Sequence, residues 1–291
     1  MQGEGFLNRG REPPDPRISS RPPRQPGATI DPPAAAGEAY DRYAAVYDTA
    51  NADNDYEMWL GAALLPELET RGLRKGWALD VGCGTGRAFE PLLQRGWRLV
   101  GCDASPGMLA RAAAKFGEGV ALHQADARNL PALHPDAATD GGFQLVLMLN
   151  DVLNYVTETE ELGPVFRGVR RNLDPEAGLC LFDVNTLTLF REDFTPACVE
   201  SGDGWEWRGL TGEVRPGGIY EARLEGKSVE SHIHRQRHWT SAEIEQALRA
   251  AGLAVLARLG QREENGEILL AEPSDESRDR KIVYIVRTEQ P

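Results

Sequence analysis

A doubly wound α/β fold with a mostly parallel central sheet is what this 291-residue sequence predicts, and three observations carry it. Apolar strand-like runs alternate with helix-like segments from about Trp77 onward, the pattern of a sheet covered on both faces. The first run, "ALDVGCGTG", ends in three glycines within five positions, Gly82, Gly84 and Gly86. Acids then stand at three successive strand ends: Asp80, Asp103 and Asp126. Glycine is costly to order, so a cluster where a strand should become a helix implies a sharp turn and a close approach by something else.

The elements follow in order. Residues 1–37 are expected to be a disordered tail, with eight of the 19 prolines and Arg9, Arg11, Arg17, Arg21 and Arg24. "EAYDRYAAVYDTANADNDYEMWLGAALLPEL" has helical spacing on both sides of a polar "NADND" break. "WALDVGC" is the first strand, followed by a helix from about Arg87. "RLVGCDA" is the second, and "SPGMLARAAAKF" a helix with Ser105 as N-cap and Pro106 in its first turn. "ALHQADA", "FQLVLMLN" and "GLCLFDV" are strands three to five, with a helix over about 160–172 before the fifth. "SAEIEQALRAAG" is a helix capped by Ser241 and ended by Gly252, and "AVLARLGQ" and "KIVYIVRT" are the last strands. Between Leu187 and Trp239 the alternation breaks into short polar strand-like pieces separated by "SGDG", "RPGG" and "LEGK". That block reads as a small antiparallel insertion serving as a substrate cover. The chain thus divides into a tail (1–37), a core half (38–186), an insertion (187–239) and the remainder of the core (240–291).

Composition narrows the function. A net charge of -13 and a pI near 5.0 disfavour nucleic acid as a partner. No apolar run approaches the length of a membrane span, no signal-peptide core follows Met1, and Cys83, Cys102, Cys180 and Cys198 form no CxxC pair. A cytoplasmic enzyme acting on a small molecule is expected, with a homo-oligomer left open.

In a doubly wound sheet ligands bind at the carboxyl ends of the central strands, where a glycine turn bares backbone and an acid about 20 residues on can take both ribose hydroxyls. Asp103 stands at that distance from Gly82. The spacing is G-x-G-x-G, not the G-x-G-x-x-G of dinucleotide sites, which leaves a nicotinamide oxidoreductase as a remote alternative. Asp80 suits a ligand with a cationic group, and Asp126 an adenine amino group.

On these residues the sequence resembles the class I S-adenosylmethionine-dependent methyltransferases, from about Tyr40 to the C-terminus and loosely through the insertion. The resemblance implies a seven-stranded Rossmann-like sheet with a β insertion after the fifth strand, and S-adenosylmethionine as cofactor. It places Asp80, Gly82, Gly84 and Gly86 on the nucleotide loop, Asp103 on the ribose, Asp126 and Ala127 beside adenine, and Tyr47, Trp59 and Leu149 on the cofactor as well. "YDRYAAVYD…DYEMW", "LNDVLNYV" and "RHWTSAEIEQALRAAG" are similar to segments of small-molecule N-methyltransferases of the glycine N-methyltransferase and amino-sugar N,N-dimethyltransferase type.

Methyl transfer from a sulfonium mostly requires positioning and desolvation. Aromatic faces suit such a cation, and Tyr40, Tyr43, Tyr47, Tyr56 and Trp59 supply them, ordinary helix packing being the competing role. On the acceptor side stand Asn150, Asp151, Asn154 and Tyr155, with Asp183 and Asn185 at the fifth strand; for Asp151 and Asn154 helix capping is the competing role. An amine nitrogen is the expected acceptor. If a hydroxyl is methylated instead, His238 is the candidate base. His232, His234 and His238 share parity and could hold a metal, but the polar face of an exposed strand is favoured, and no HExxH helix supports a metal site. The Asn/Asp-Pro-Pro-aromatic segment of nucleobase-amine methylation is absent after the fourth strand.

Overall fold

The computed structural model describes residues 36–52, 56–135, 141–202, 204–227, 229–264 and 267–289. The tail expected over 1–37 lies outside them except for its last two residues, and so do positions 53–55 of the "NADND" break. Four short helical pieces come first: α1 (Ala36–Tyr43), α2 (Tyr47–Ala50), a π-helical turn over Glu57–Leu64, and α3 (Leu65–Thr70).

The core then alternates as the sequence predicts. β1 (Trp77–Val81) leads through the glycine turn to α4 (Phe89–Gln94), β2 (Arg98–Asp103) to α5 (Pro106–Phe116), and β3 (Ala121–Gln124) to β4 (Leu145–Met148). α6 (Thr159–Asn172) precedes β5 (Leu179–Asn185). Ser105 caps α5 by accepting from the Met108 amide at 3.1 Å, with Pro106 beginning the helix. β4 and β5 are buried along their whole length, as continuous apolar runs covered on both faces should be.

After β5 come α7 (Leu187–Asp193), then β6 (Val199–Gly202), β7 (Trp205–Gly209), β8 (Ile219–Glu225) and β9 (His232–Arg237), which form a separate antiparallel sheet. α8 (Ser241–Ala250), β10 (Leu253–Glu264), β11 (Glu267–Ala271) and β12 (Lys281–Thr288) return to the main sheet. Its order is β11-β10-β12-β5-β4-β1-β2-β3, parallel from β3 to β5 and antiparallel from β5 onward. The order reverses between β1 and β4, and the carboxyl ends of those strands open the crevice where such folds bind ligands.

Four expectations need correction. The main sheet has eight strands, not seven; β11 pairs with β10, and Asn265-Gly266 between them is a hairpin signal in the sequence. The 187–239 block opens with a helix, α7, capped by Thr186. α8 is capped by Thr240, whose hydroxyl accepts from the Glu243 amide while Glu243 reaches back to the Thr240 amide, so the box falls one residue before Ser241. The histidine face of β9 is not exposed: His232, His234 and Gln236 are buried where the strand meets α1 and the site, and His238, just past the strand, is buried against Phe190.

Candidate active site

A cleft open at its mouth lies at the carboxyl ends of β1, β2 and β4. Its floor is the glycine turn. Gly82, Gly84 and Gly86 have φ of 71°, 54° and 81°, the left-handed region that side chains with a Cβ avoid. A Cβ on Gly82 would fall 2.5 Å from Val152 Cγ2, whereas over Gly84 the nearest atom, Tyr47 Cε1, is 4.0 Å away. Gly84 therefore presents bare backbone to open space. Gly86 is not among the lining residues; a Cβ there would strike Phe89 and Phe116, so its role is packing.

Three acids line the cleft. Asp103 accepts from the amides of Gly84 and Ser105, each at 2.8 Å, which ties β2 to the glycine turn. Burial raises its carboxyl, with these amides opposing. Asp126 accepts from the Arg128 amide at 2.8 Å and pairs with its guanidinium at 2.5 Å. Burial alone would raise Asp126, but Arg128 prevails and holds it below the usual range. Asp80 differs from both. It is 4% exposed, has no hydrogen-bond partner among the described residues, and burial, helped by the charge of Asp103, pushes it up to about 8. A buried carboxylate without a partner is a place for a cation.

Tyr47 also lines the cleft, along with Tyr40, Tyr56, Ala127 and Leu149. Burial pushes the Tyr47 phenol up to about 12, and it accepts weakly from Asn150 Nδ2 at 3.4 Å. Trp59 does not reach the lining. It packs in the core beneath, edge-on to Tyr56, with the Lys281 ammonium 6.0 Å from its ring.

The turn after β4 is built on strain. Asn150 and Asp151, after β4, both have positive φ (62° and 75°), unusual for residues other than glycine and characteristic of functional turns. Asp183 holds that turn by accepting from the Asn150 amide at 2.6 Å and the Asp151 amide at 3.3 Å. Lys281, at the start of β12, bridges Asp151 (2.5 Å) and Asp183 (2.9 Å) and donates to Asn150 Oδ1 at 3.2 Å. Burial would lower Lys281, but its two carboxylates outweigh that and keep it charged. The sequence reading missed Lys281 because a lone lysine opening an apolar strand carries no local signal; only the β5–β12 register, Lys281 opposite Asn185, brings it to the turn. Arg128 was missed too.

Asn150 and Tyr155 line the cleft, and Asp151 adjoins it through the same turn. Asn154 and His238 do not. Asn154 is fully buried, donating to the Arg237 carbonyl at 2.8 Å and accepting from the Asn185 amide at 3.0 Å, so it joins β5 to β9. His238 is 2% exposed behind β9, accepting from the Gly217 amide at 3.3 Å, with Glu276 4.0 Å away and Phe190 against its ring. Burial lowers its pKa, which keeps it neutral but brings it no nearer to the cleft.

A family described as "Methyltransferase domain" matches residues 78–176, from β1 through the glycine turn to α6. A protein of Bacillus subtilis (strain 168) provisionally named a methyltransferase is 28% identical over 225 residues, 73% of this chain and 85% of its own. The matched domain and this relative support a class I S-adenosylmethionine-dependent methyltransferase. The solved structure of such an enzyme from Clostridium acetobutylicum ATCC 824 superposes with a TM-score of 0.67 over 86% of this chain and 99% of its own, at 22% identity. A further relative is the dTDP-3-amino-3,4,6-trideoxy-alpha-D-glucopyranose N,N-dimethyltransferase of Streptomyces venezuelae, 28% identical over 185 residues, 61% of this chain and 75% of its own.

The cofactor of this methyltransferase is S-adenosylmethionine. The cleft fits it on two counts: the partnerless Asp80 can meet a cationic group, and the open space over Gly84 admits a ligand against backbone. Among the described residues no cluster of His, Cys, Asp and Glu could hold a metal ion, and no helix is long and apolar enough to cross a membrane.

Proposed function

We propose that this methyltransferase transfers the methyl group to an amine nitrogen of a small molecule. The observation that carries this is the strained Asn150-Asp151 turn, which sets the Asn150 amide among the tyrosines that line the cleft, with the Lys281-paired Asp151 carboxylate adjoining. Aromatic faces and a nearby carboxylate disperse the positive charge that a neutral amine nitrogen gains on methylation. The N,N-dimethyltransferase name of the Streptomyces venezuelae relative supports the same reading.

The bound cofactor supplies an electrophilic methyl carbon on a sulfonium. Asp80 would receive its ammonium, Asp103 its ribose hydroxyls, and Asp126 with Ala127 its adenine. The backbone of Gly82 and Gly84 would lie against it, with Leu149 and Tyr47 excluding water. Asn150, Asp151 and Tyr155 orient the acceptor, while Lys281 and Asp183 hold the turn that carries the first two. Residues 187–239 act as the cover that selects the acceptor: β9 brings Gln236 to Asp151 at 3.4 Å and His234 to Tyr155 at 2.7 Å.

Screening pools of amines and phenols with methyl-labelled cofactor tests the reading. Label on nitrogen is expected. Label found only on oxygen would overturn the amine assignment and leave methyl transfer standing.

A further inference from the structure

Tyr155, His234 and His232 form an unbroken hydrogen-bonded chain from the cleft to the protein surface. Tyr155 Oη is 2.7 Å from His234 Nδ1, His234 Nε2 is 3.0 Å from His232 Nε2, and His232 Nδ1 is 2.8 Å from the Glu230 carbonyl oxygen. Glu230 marks the outside, its side chain 73% exposed and paired with Arg42 at 3.3 Å.

The direction of the chain follows by elimination. A carbonyl can only accept, so His232 carries its hydrogen on Nδ1, and as a neutral ring its Nε2 is bare. His234 must then donate from Nε2, which leaves its own Nδ1 bare. The hydrogen between His234 and Tyr155 therefore belongs to the tyrosine. Every donor in the chain points outward, which leaves the Tyr155 oxygen its lone pairs; Tyr40 and Gln236 also hydrogen-bond with that hydroxyl.

We propose that this chain is the exit path for the proton an acceptor loses on methylation. The acceptor's N–H or O–H proton passes to Tyr155 Oη as the phenol hydrogen moves to His234 Nδ1. The His234 Nε2 hydrogen then moves to His232 Nε2. The acceptor atom has exchanged one hydrogen for the methyl group, Tyr155 and His234 are neutral again in their reversed hydrogen-bonding sense, and His232 is left as an imidazolium whose Nδ1 proton leaves for solvent at the 5% exposed edge of the ring once it parts from the Glu230 carbonyl.

The surroundings favour passage over storage. His234 is packed against Trp207 (5.0 Å), Tyr43 (5.7 Å) and Tyr40 (5.6 Å), with no carboxylate among the described residues in contact. Burial, with His232 adding to it, pushes His234 down to about 3, so a proton does not rest there. His232 is also lowered by burial and by Arg42, against the opposing pull of the Glu230 carbonyl and carboxylate, so it releases the proton readily. Asp151 is the carboxylate facing Tyr155. The chain serves a nitrogen or an oxygen acceptor alike, and so rests on methyl transfer but not on the amine assignment.

Nitrogen-15 NMR of the full chain with labelled histidine and added S-adenosylhomocysteine tests the direction. The expected result is His232 as the Nδ1–H tautomer and His234 as the Nε2–H tautomer, with His234 perturbed in Tyr155→Phe, a variant that keeps the ring. The opposite tautomers, or a His234 indifferent to Tyr155→Phe, would overturn the proposal. This pattern is read whether or not a chosen acceptor reacts. Methyl transfer from labelled cofactor to a mixture of 2-amino sugars and catechols supplies the second readout. For Tyr155→Phe and His234→Phe, kcat should fall about tenfold or more near neutral pH, with KM for the cofactor unchanged and the deficit shrinking in alkali. A wild-type pH profile in both variants would equally overturn the relay. Label on oxygen alone would refute the amine reading and not the relay.

Discussion

Acidification should weaken cofactor binding through one residue, Asp80. Its carboxyl lacks a partner among the described residues, and burial, helped by the charge of Asp103, pushes it up to about 8. Near neutral pH only about one molecule in ten then carries the charge a cationic ligand needs, and each further unit of acid costs about another tenfold, ~1.4 kcal/mol. Calorimetric titration with S-adenosylhomocysteine should therefore give an association constant that rises almost tenfold per pH unit from about pH 6 to pH 7.5 and then levels. Asp80→Asn should weaken binding at about pH 7.5 by roughly ten- to a hundredfold, the value of a charge-assisted hydrogen bond, and should flatten the slope. The sign for stability is opposite. Asp80 is raised from 3.8, so between about pH 4 and pH 8 the folded protein holds a proton that the unfolded chain has lost, and unliganded stability falls as pH rises. Asp80→Asn removes that loss and should stabilise the unliganded protein in urea by about 1–4 kcal/mol at pH 8. A wild-type association constant that is flat with pH, or a slope that survives Asp80→Asn, would refute the reasoning.

Three further outcomes are expected. Lys281→Met leaves the fully buried Asp183 without its ammonium and should destabilise the protein by about 3–5 kcal/mol in chemical denaturation; a loss under about 1 kcal/mol would mean the pair is not needed to hold the turn. Asp103→Ala should reduce S-adenosylhomocysteine affinity about tenfold or more by calorimetry, and an unchanged dissociation constant in a folded variant would misplace the ribose site. His238→Gln should leave the rate of methyl transfer within about threefold of wild type, since the ring is buried behind β9; a loss of about 10²–10⁴ would restore it as a general base.

The sequence by itself determined the sheet, the turn and the acids. These are local facts: each strand is an apolar run that ends in its own glycines or acid within a few residues, and the acids recur about one strand-helix unit apart, so spacing alone carries them. The same local logic found the α5 cap but misplaced the α8 cap by one residue, because Thr240 and Ser241 are both good N-caps and only hydrogen-bond geometry separates them. Parity put His232, His234 and His238 on one face, but whether that face meets water or protein depends on what packs against it, and α1 lies across it. Tertiary structure alone decided the partners. It drew Asn154 into the joint between β5 and β9, kept Trp59 and His238 from the cleft, and carried Lys281 across 98 residues of sequence to Asp183. Charges separated that far in sequence become neighbours through strand register, and register is set by the packing of the whole sheet.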